Sequence, residues 1–199
     1  MRILFHLRAA ARLLPPVALA LICLCAAQAQ AEDADRTLNV EVSTRGEEVL
    51  VDVNFHVNAT PQEVWTVVTD YEHASTFISK LQRSIVLSRT PDMLLVFQRG
   101  IMGYGPFSVT IETLAEIHLM PFEELRSHLV SGNLKKYDAT TRLIADATGT
   151  RVVYHLEVIP DIWLPPLIGR AIVGFEARTR FREVIAEILR RKTSAVPKG

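Results

Sequence analysis

The chain has 199 residues and balances 22 lysines and arginines against 22 aspartates and glutamates, with only 2 cysteines. Such a balance leaves no cationic excess to hold a nucleic-acid backbone. Both cysteines, Cys23 and Cys25, fall within the first 31 residues, so the remainder can hold no disulfide, no cysteine metal site and no thiol nucleophile.

Residues 1–16 carry Arg2, Arg8 and Arg12 and no acid; the apolar run "VALALICLCAA" and then "QAQAED" follow. A basic flank, an apolar stretch and small residues at an A-x-A site form the pattern of a cleaved secretory signal. The apolar run is well short of the ~20 residues that a spanning helix needs, which weighs against a retained anchor. Cys23 follows Ile22 and Cys25 follows Leu24, where a lipid-modified cysteine would follow a small residue. The expectation is a signal over residues 1–31, cut after Ala29 or Ala31, and one domain over residues 32–199, exported to a bacterial periplasm. That domain has 168 residues and a net charge of −3, and a chain of this size buries a core without disulfide staples.

After a polar leader, "EDADR", residues 38–58 read as two strands around "TRGEE". The second alternates cleanly, with Val49, Val51, Val53, Phe55 and Val57 on one face and Asp52, Asn54 and His56 on the other. Thr60 before Pro61, with Glu63 three residues on, is a capping box that opens a helix over 61–69. "DYEHASTF" reads as a second short helical turn. From Ser84 to Ile159 the pattern is β throughout, with strands near 84–90, 93–99, 107–118, 123–131, 137–146 and 151–159. Turn chemistry separates them at "TPD", "GIMGYGP", "MPF", "SGN" and "ATGT", as in an antiparallel meander. The last element is one long helix over 165–191, with apolar positions at Leu167, Ala171, Gly174, Phe181, Ile185 and Ile188. Its first half is apolar nearly all round; its second half is amphipathic and charged.

A long sheet with one apolar face and a single long helix to cover it implies a helix gripped by the sheet. On "ATPQEVWTVVTDYEHASTFI", "SGNLKKYDATTRLI", "TGTRVVYHLEVIP" and the terminal helix, the chain resembles the START-like superfamily. This is also called SRPBCC, helix-grip or Bet v 1-like, and the nearest branch is the polyketide cyclase and coenzyme Q-binding group. The resemblance implies an α+β helix-grip fold. In it a curved antiparallel sheet wraps a long C-terminal helix, two short helices follow the N-terminal strands, and a ligand cavity lies between sheet and helix.

Strand parity and helical phase, placed on that fold, name Phe97, Val109, Ile111, Leu129, Tyr154, Leu156 and Ile172 as cavity lining. Tyr137 is the aromatic after the "SGN" turn. Trp65 and Phe77 face either the cavity or the core. Trp163 and Phe175 belong to the apolar "PDIWLPPLIGRAIVGF" segment, with Trp163 as a plug of the cavity or a residue at a membrane surface. Candidate polar cavity groups are Arg99, Glu112, Arg126 and Arg178. The tip "GIMGYGPF" joins two strands and precedes no helix, so it is no phosphate cradle. Its Ile101, Met102, Tyr104 and Phe107 suit a flap, and the segment from Trp163 to Phe175 is the other part expected to move. His155, Glu157 and Arg151 share a solvated strand face, His56 reads as exposed, and His118 and His128 approach across a hairpin without a third ligand. No metal, no cofactor and no catalytic set is expected from these residues.

The expected function is an exported binding protein for one apolar small molecule or lipid, of quinone, isoprenoid, fatty-acid or polyketide-like kind, with transient contact to a membrane surface. Two rivals stand beside it: a cyclase or aromatase working through polar cavity groups, and a module that shows its apolar C-terminal segment to a partner protein. Neither the ligand nor the oligomeric state is readable. N-terminal sequencing of protein recovered from the producing cell should begin at Gln30 or Glu32; an intact Met1 in the membrane fraction would refute the signal.

Overall fold

The computed structural model describes residues 37–103, 108–161 and 166–195. The expected signal segment, the tip residues Tyr104 and Phe107, and Trp163 lie outside them. The elements are β1 (Asn39–Arg45), β2 (Glu48–Val57), α1 (Pro61–Val68), α2 (Ala74–Phe77), β3 (Leu81–Arg89), β4 (Met93–Met102), β5 (Val109–Met120), β6 (Glu124–Gly132), β7 (Leu134–Asp146), β8 (Gly149–Pro160) and α3 (Pro166–Ala195).

The strands form one eight-stranded sheet in the order β1-β2-β8-β7-β6-β5-β4-β3, antiparallel at every joint. The β1–β2 hairpin lies at one edge. The chain then crosses through α1 and α2 to the far edge at β3, and hairpins bring it back until β8 pairs with β2. This is the helix-grip α+β fold.

Period-two alternation decides what each strand offers the helix. On β2, Val51, Val53, Phe55 and Val57 are buried while Asp52 and Asn54 are exposed. Ile185, Ile188 and Leu189 of α3 pack on these residues, on Val152 and on Val64 and Val67 of α1. Phe181 joins the cluster with its ring 5.9 Å from Phe55 and 5.0 Å from Tyr154. A second cluster, Leu94, Val96, Ile117 and Leu125, lies toward the other edge of the sheet. Trp65 packs against both clusters and meets Phe122 edge-on at 5.8 Å. The capping box that starts α1 is present: Glu63 N–H donates to Thr60 Oγ1 at 3.2 Å, and Thr60 N–H donates to Glu63 Oε2 at 2.7 Å.

The second half of α3 is also fastened electrostatically. Arg191 pairs with Asp70 at 2.8 Å and with Glu187 at 2.6 Å, donates to Thr66 O at 3.3 Å, and lies 5.6 Å above the Phe77 ring. Hydrogen bonding to Arg190 holds the Glu187 carboxyl down at about 2; burial opposes this, and Arg191 adds to it. A carboxyl lowered on folding stabilises above its unfolded pKa, near ~4.3, and that contribution is lost as pH falls from there toward about 2. Glu187→Gln should lower stability at pH 7 by roughly 1–3 kcal/mol, discounted because Arg190 is largely in water. It should also flatten the loss of stability between pH ~5 and ~2, as read by chemical denaturation across that range.

Candidate ligand cavity

Small and aliphatic side chains on the first half of α3 leave space above the sheet. A cavity of about 200 Å³ lies there, walled by Val51 of β2, Leu156 and Val158 of β8, Ile111 of β5 and Leu134 of β7, and roofed by Val173 and Ala177. The sheet itself loosens at this end. β6 and β7 pair only from Glu124↔Arg142 to His128↔Asp138, whereas β7 stays with β8 as far as Leu134↔Pro160 and β6 with β5 as far as Gly132↔Thr113. The "SGN" turn makes this divergence possible. Gly132 has φ 150°, and a Cβ there would lie 2.2 Å from Glu112 O, a place open only to glycine. Asn133 then replaces the missing ladder on β5, donating from Nδ2 to Thr110 O at 2.8 Å and accepting at Oδ1 from Glu112 N–H at 2.8 Å.

One side of the cavity is held by a polar clasp. Glu176 of α3 accepts from Lys80 Nζ and, at 3.2 Å, from the Gly103 N–H. Lys80 Nζ also donates to Gly103 O at 2.9 Å. Helix, start of β3 and end of β4 therefore meet at one carboxylate, beside Ile101 and Met102, which line the cavity. A further lining carboxylate, Glu183, accepts from the Ser79 N–H at 3.2 Å.

Deeper in, the wall turns polar without acids. Tyr137 and Tyr154 line the cavity. Tyr71 lies behind them on the second cluster. Burial pushes all three phenols up from the usual range, and hydrogen bonds link Tyr137 with Tyr154 and both Tyr71 and Tyr137 with Ser127. The nearby Arg180 charge partly offsets that rise. These phenols are hydrogen-bond donors at neutral pH, not bases.

The sequence profile of the family described as polyketide cyclase / dehydrase and lipid transport matches residues 57–183. The chain belongs to that family. Among solved structures, the Zhui aromatase/cyclase from Streptomyces sp. R1128 superposes with a TM-score of 0.61 at 15% identity, covering 73% of this chain and 96% of its own. A START superfamily protein from Mycobacterium smegmatis gives 0.61 at 11%, covering 71% and 98%. The STAR-related lipid transfer protein from Xanthomonas axonopodis gives 0.57 at 12%, covering 76% and 98%. No curated protein matches the chain in sequence. Family and structures together establish the START-like superfamily expected from the helical motif and the order of elements.

Within this polyketide cyclase and lipid transport domain, Ile111, Tyr137, Tyr154 and Leu156 line the cavity as expected from their strand parity or position. Val109 and Leu129 share the inward parity but lie off its wall. Phe97 is a correction. Leu94 and Val96 are the buried positions of β4, so Phe97 points to the other face of the sheet. The run "MLLVF" is apolar on both parities, which hides its phase. Arg99 and Glu112 follow the same outward parity and pair with each other at 3.4 Å in solvent. Arg126 also faces outward, on Glu124. Trp65 and Phe77 pack in the core and do not line the cavity.

On α3 the stripe toward the cavity is Val173, Glu176, Ala177 and Arg180, so Ile172 is one position out of phase. Phe175 and Arg178 face a separate open groove with Val40 and Val42 of β1, and Arg178 donates to Leu38 O at 3.3 Å. Gly174 faces Val42, whose Cγ2 would lie 3.5 Å from a Cβ added there. Among the described residues no three histidines, cysteines or acids converge as a metal site. His155 pairs with Asp52 at 2.7 Å and His128 with Asp138 at 2.5 Å, both on the outer face.

Reasoning from sequence missed Lys80, Gln98, Glu176 and Arg180. Helical spacing from Phe181 back to Ala177 and Val173 would have found Arg180 and Glu176 between them. Lys80 carries no local signal. Removing the clasp acceptor with Glu176→Gln should speed hydrogen exchange of the Gly103 amide by about 10-fold or more, the loss of one charge-assisted hydrogen bond, and leave the amides of residues 185–189 unchanged. Equal rates at Gly103 in variant and wild type would refute the clasp.

Proposed function

We propose that this domain binds one small apolar or amphipathic molecule in the cavity under α3 and carries it through water. The observation that carries this reading is the cavity itself: aliphatic over most of its wall, with a few converging polar groups, at the place where the sheet loosens. Moving apolar surface from water into such a space gains ~25 cal/mol per Å². Its volume of about 200 Å³ is below the ~300–1,000 Å³ of drug-sized sites, so the cargo is small or the cavity widens on loading. The family's description includes lipid transport, and a lipid transfer protein is among the structures of the same fold.

The N-terminal pattern supports export, and a periplasmic carrier of a quinone, isoprenoid, fatty acid or polyketide-like molecule fits both features. Loading and release would take place at a membrane surface, on the side where Phe175 is half exposed between Arg170 and Arg178. A cyclase needs a free acid or base inside the cavity. The two carboxylates on its wall are engaged by Lys80, Gly103 and Ser79, and the phenols are held protonated, so carriage is favoured over chemistry.

Native mass spectrometry of protein taken from its own compartment tests this directly. The wild type should carry an extractable adduct. Ala177→Phe, which fills the cavity from the helix side at a cost of about 1–3 kcal/mol in stability, should carry none while keeping its fold. A wild type free of adduct, or an adduct undiminished in the variant, would count against carriage.

A further inference from the structure

We propose that the cargo is an amphiphile with a single carboxylate, and that Arg180 with the hydroxyls of Tyr137 and Tyr154 is the receptor for that carboxylate. The inference rests on the cavity reading above and adds the chemical class of its ligand.

Four charged side chains line the cavity: Lys80, Glu176, Arg180 and Glu183. Three are engaged within the protein. Lys80 and Glu176 hold each other and the Gly103 backbone, and Glu183 takes the Ser79 N–H. Arg180 differs: among the described residues no side chain or backbone group hydrogen-bonds or ion-pairs with its guanidinium. Its chain neighbours at one helical turn, Glu176 and Glu183, have turned their carboxylates to other donors. The arginine stays hydrated at the cavity's edge, with donors to spare.

The wall beside it has the complementary property. Tyr137 and Tyr154 line the same cavity, and their phenols stay protonated. Tyr154 is hydrogen-bonded to Tyr137 and Tyr137 to Ser127, so between them the two phenols can turn one neutral O–H to a carboxylate, beside the permanent charge of Arg180. A guanidinium presents parallel N–H groups that match two carboxylate oxygens, and such charge-assisted pairs are about twice as strong as neutral ones. The rest of the wall is aliphatic, so the molecule that satisfies all of it has one anionic end and an apolar body. A phosphate monoester, at about −1.5 to −2 near neutral pH, carries more charge than one arginine neutralises. A neutral quinone or alcohol would use the tyrosines and leave the arginine to water.

The test compares decanoate with 1-decanol, two probes of equal chain length, by calorimetric titration of delipidated protein at pH 7.5. The wild type should bind decanoate at least about 10-fold more tightly than decanol, the advantage of a charge-assisted pair over a neutral one. Arg180→Met should bring decanoate to the level of decanol and leave decanol unchanged; Arg180→Lys should restore part of the preference. Among the described residues Arg180 has no hydrogen-bond or ion-pair partner to lose, so the variants should match the wild type in thermal unfolding. Equal affinities in the wild type, or a preference that survives Arg180→Met, would overturn the carboxylate receptor while leaving carriage intact. If neither probe binds the wild type, both this inference and the carriage reading fall. Should Arg180→Met not fold, the wild-type ratio and the Arg180→Lys ratio still decide.

Discussion

One helix has to cover one face of an eight-stranded sheet, and it packs tightly over only part of that face. The second half of α3 does so through Ile185, Ile188 and Leu189, seated on the buried residues of β2 and on α1. Arg191 adds a fastening to the turn after α1 through Asp70 and Thr66. The first half continues as a rigid body from that anchor, since a helix transmits its direction over many turns. Its side chains toward the sheet are small or polar, and the sheet beneath is loosened where β6 leaves β7. A void follows from this mismatch between a fixed helix axis and a splayed sheet. Protein interiors elsewhere pack close, and they do so here below Phe181.

Charge is distributed unequally over the two faces of the sheet. On the outer face ions pair across strands: Lys136 with Glu157 of the adjacent β8 at 2.5 Å and, over β8, with Glu48 of β2 at 2.7 Å, His155 with Asp52, Arg142 with Glu124 at 2.6 Å. These pairs are in or near water and contribute modestly to stability each. They keep the outer surface of the sheet polar and make the alternation of inward and outward residues unambiguous there. On the covered face charge is scarce, so each charged group there matters more. Glu176 joins three elements, and among the described residues Arg180 has no hydrogen-bond or ion-pair partner.

Much of the fold was legible because its elements declare themselves locally. The alternation on β2, the Thr60–Glu63 box and the turn residues between strands each specify one outcome, and the structure has them within a few residues of the expected bounds. The cavity was legible less evenly. Ile111, Tyr154 and Leu156 are on strands where polar and apolar residues alternate, so their face could be read. Phe97 is in a run with no polar marker, and a one-residue error in phase sends it through the sheet. Ile172 failed for the helical form of the same reason: an all-apolar turn has no readable face. Lys80 was out of reach for another cause. Its placement depends on which strand and which helix turn come together in space, and no window of sequence contains both.

The stripe Val173, Glu176, Ala177 and Arg180 repeats at three, four and seven residues, so it forms one line along α3 about 10 Å long at 1.5 Å per residue. That line carries the apolar roof, the clasp to the end of β4 and Arg180, a cation with no ion pair among the described residues. All three belong to one rigid segment, so none can move without the others. Opening the clasp would therefore lift the roof and withdraw Arg180 from Tyr137 and Tyr154 together. A ligand that bridges Arg180 and the tyrosines ties the helix to the sheet at a second point and works in the same direction as Glu176. On the proposed reading, loading and closure would form one equilibrium, and a molecule with only an apolar body would fill the space without adding to the hold on the helix.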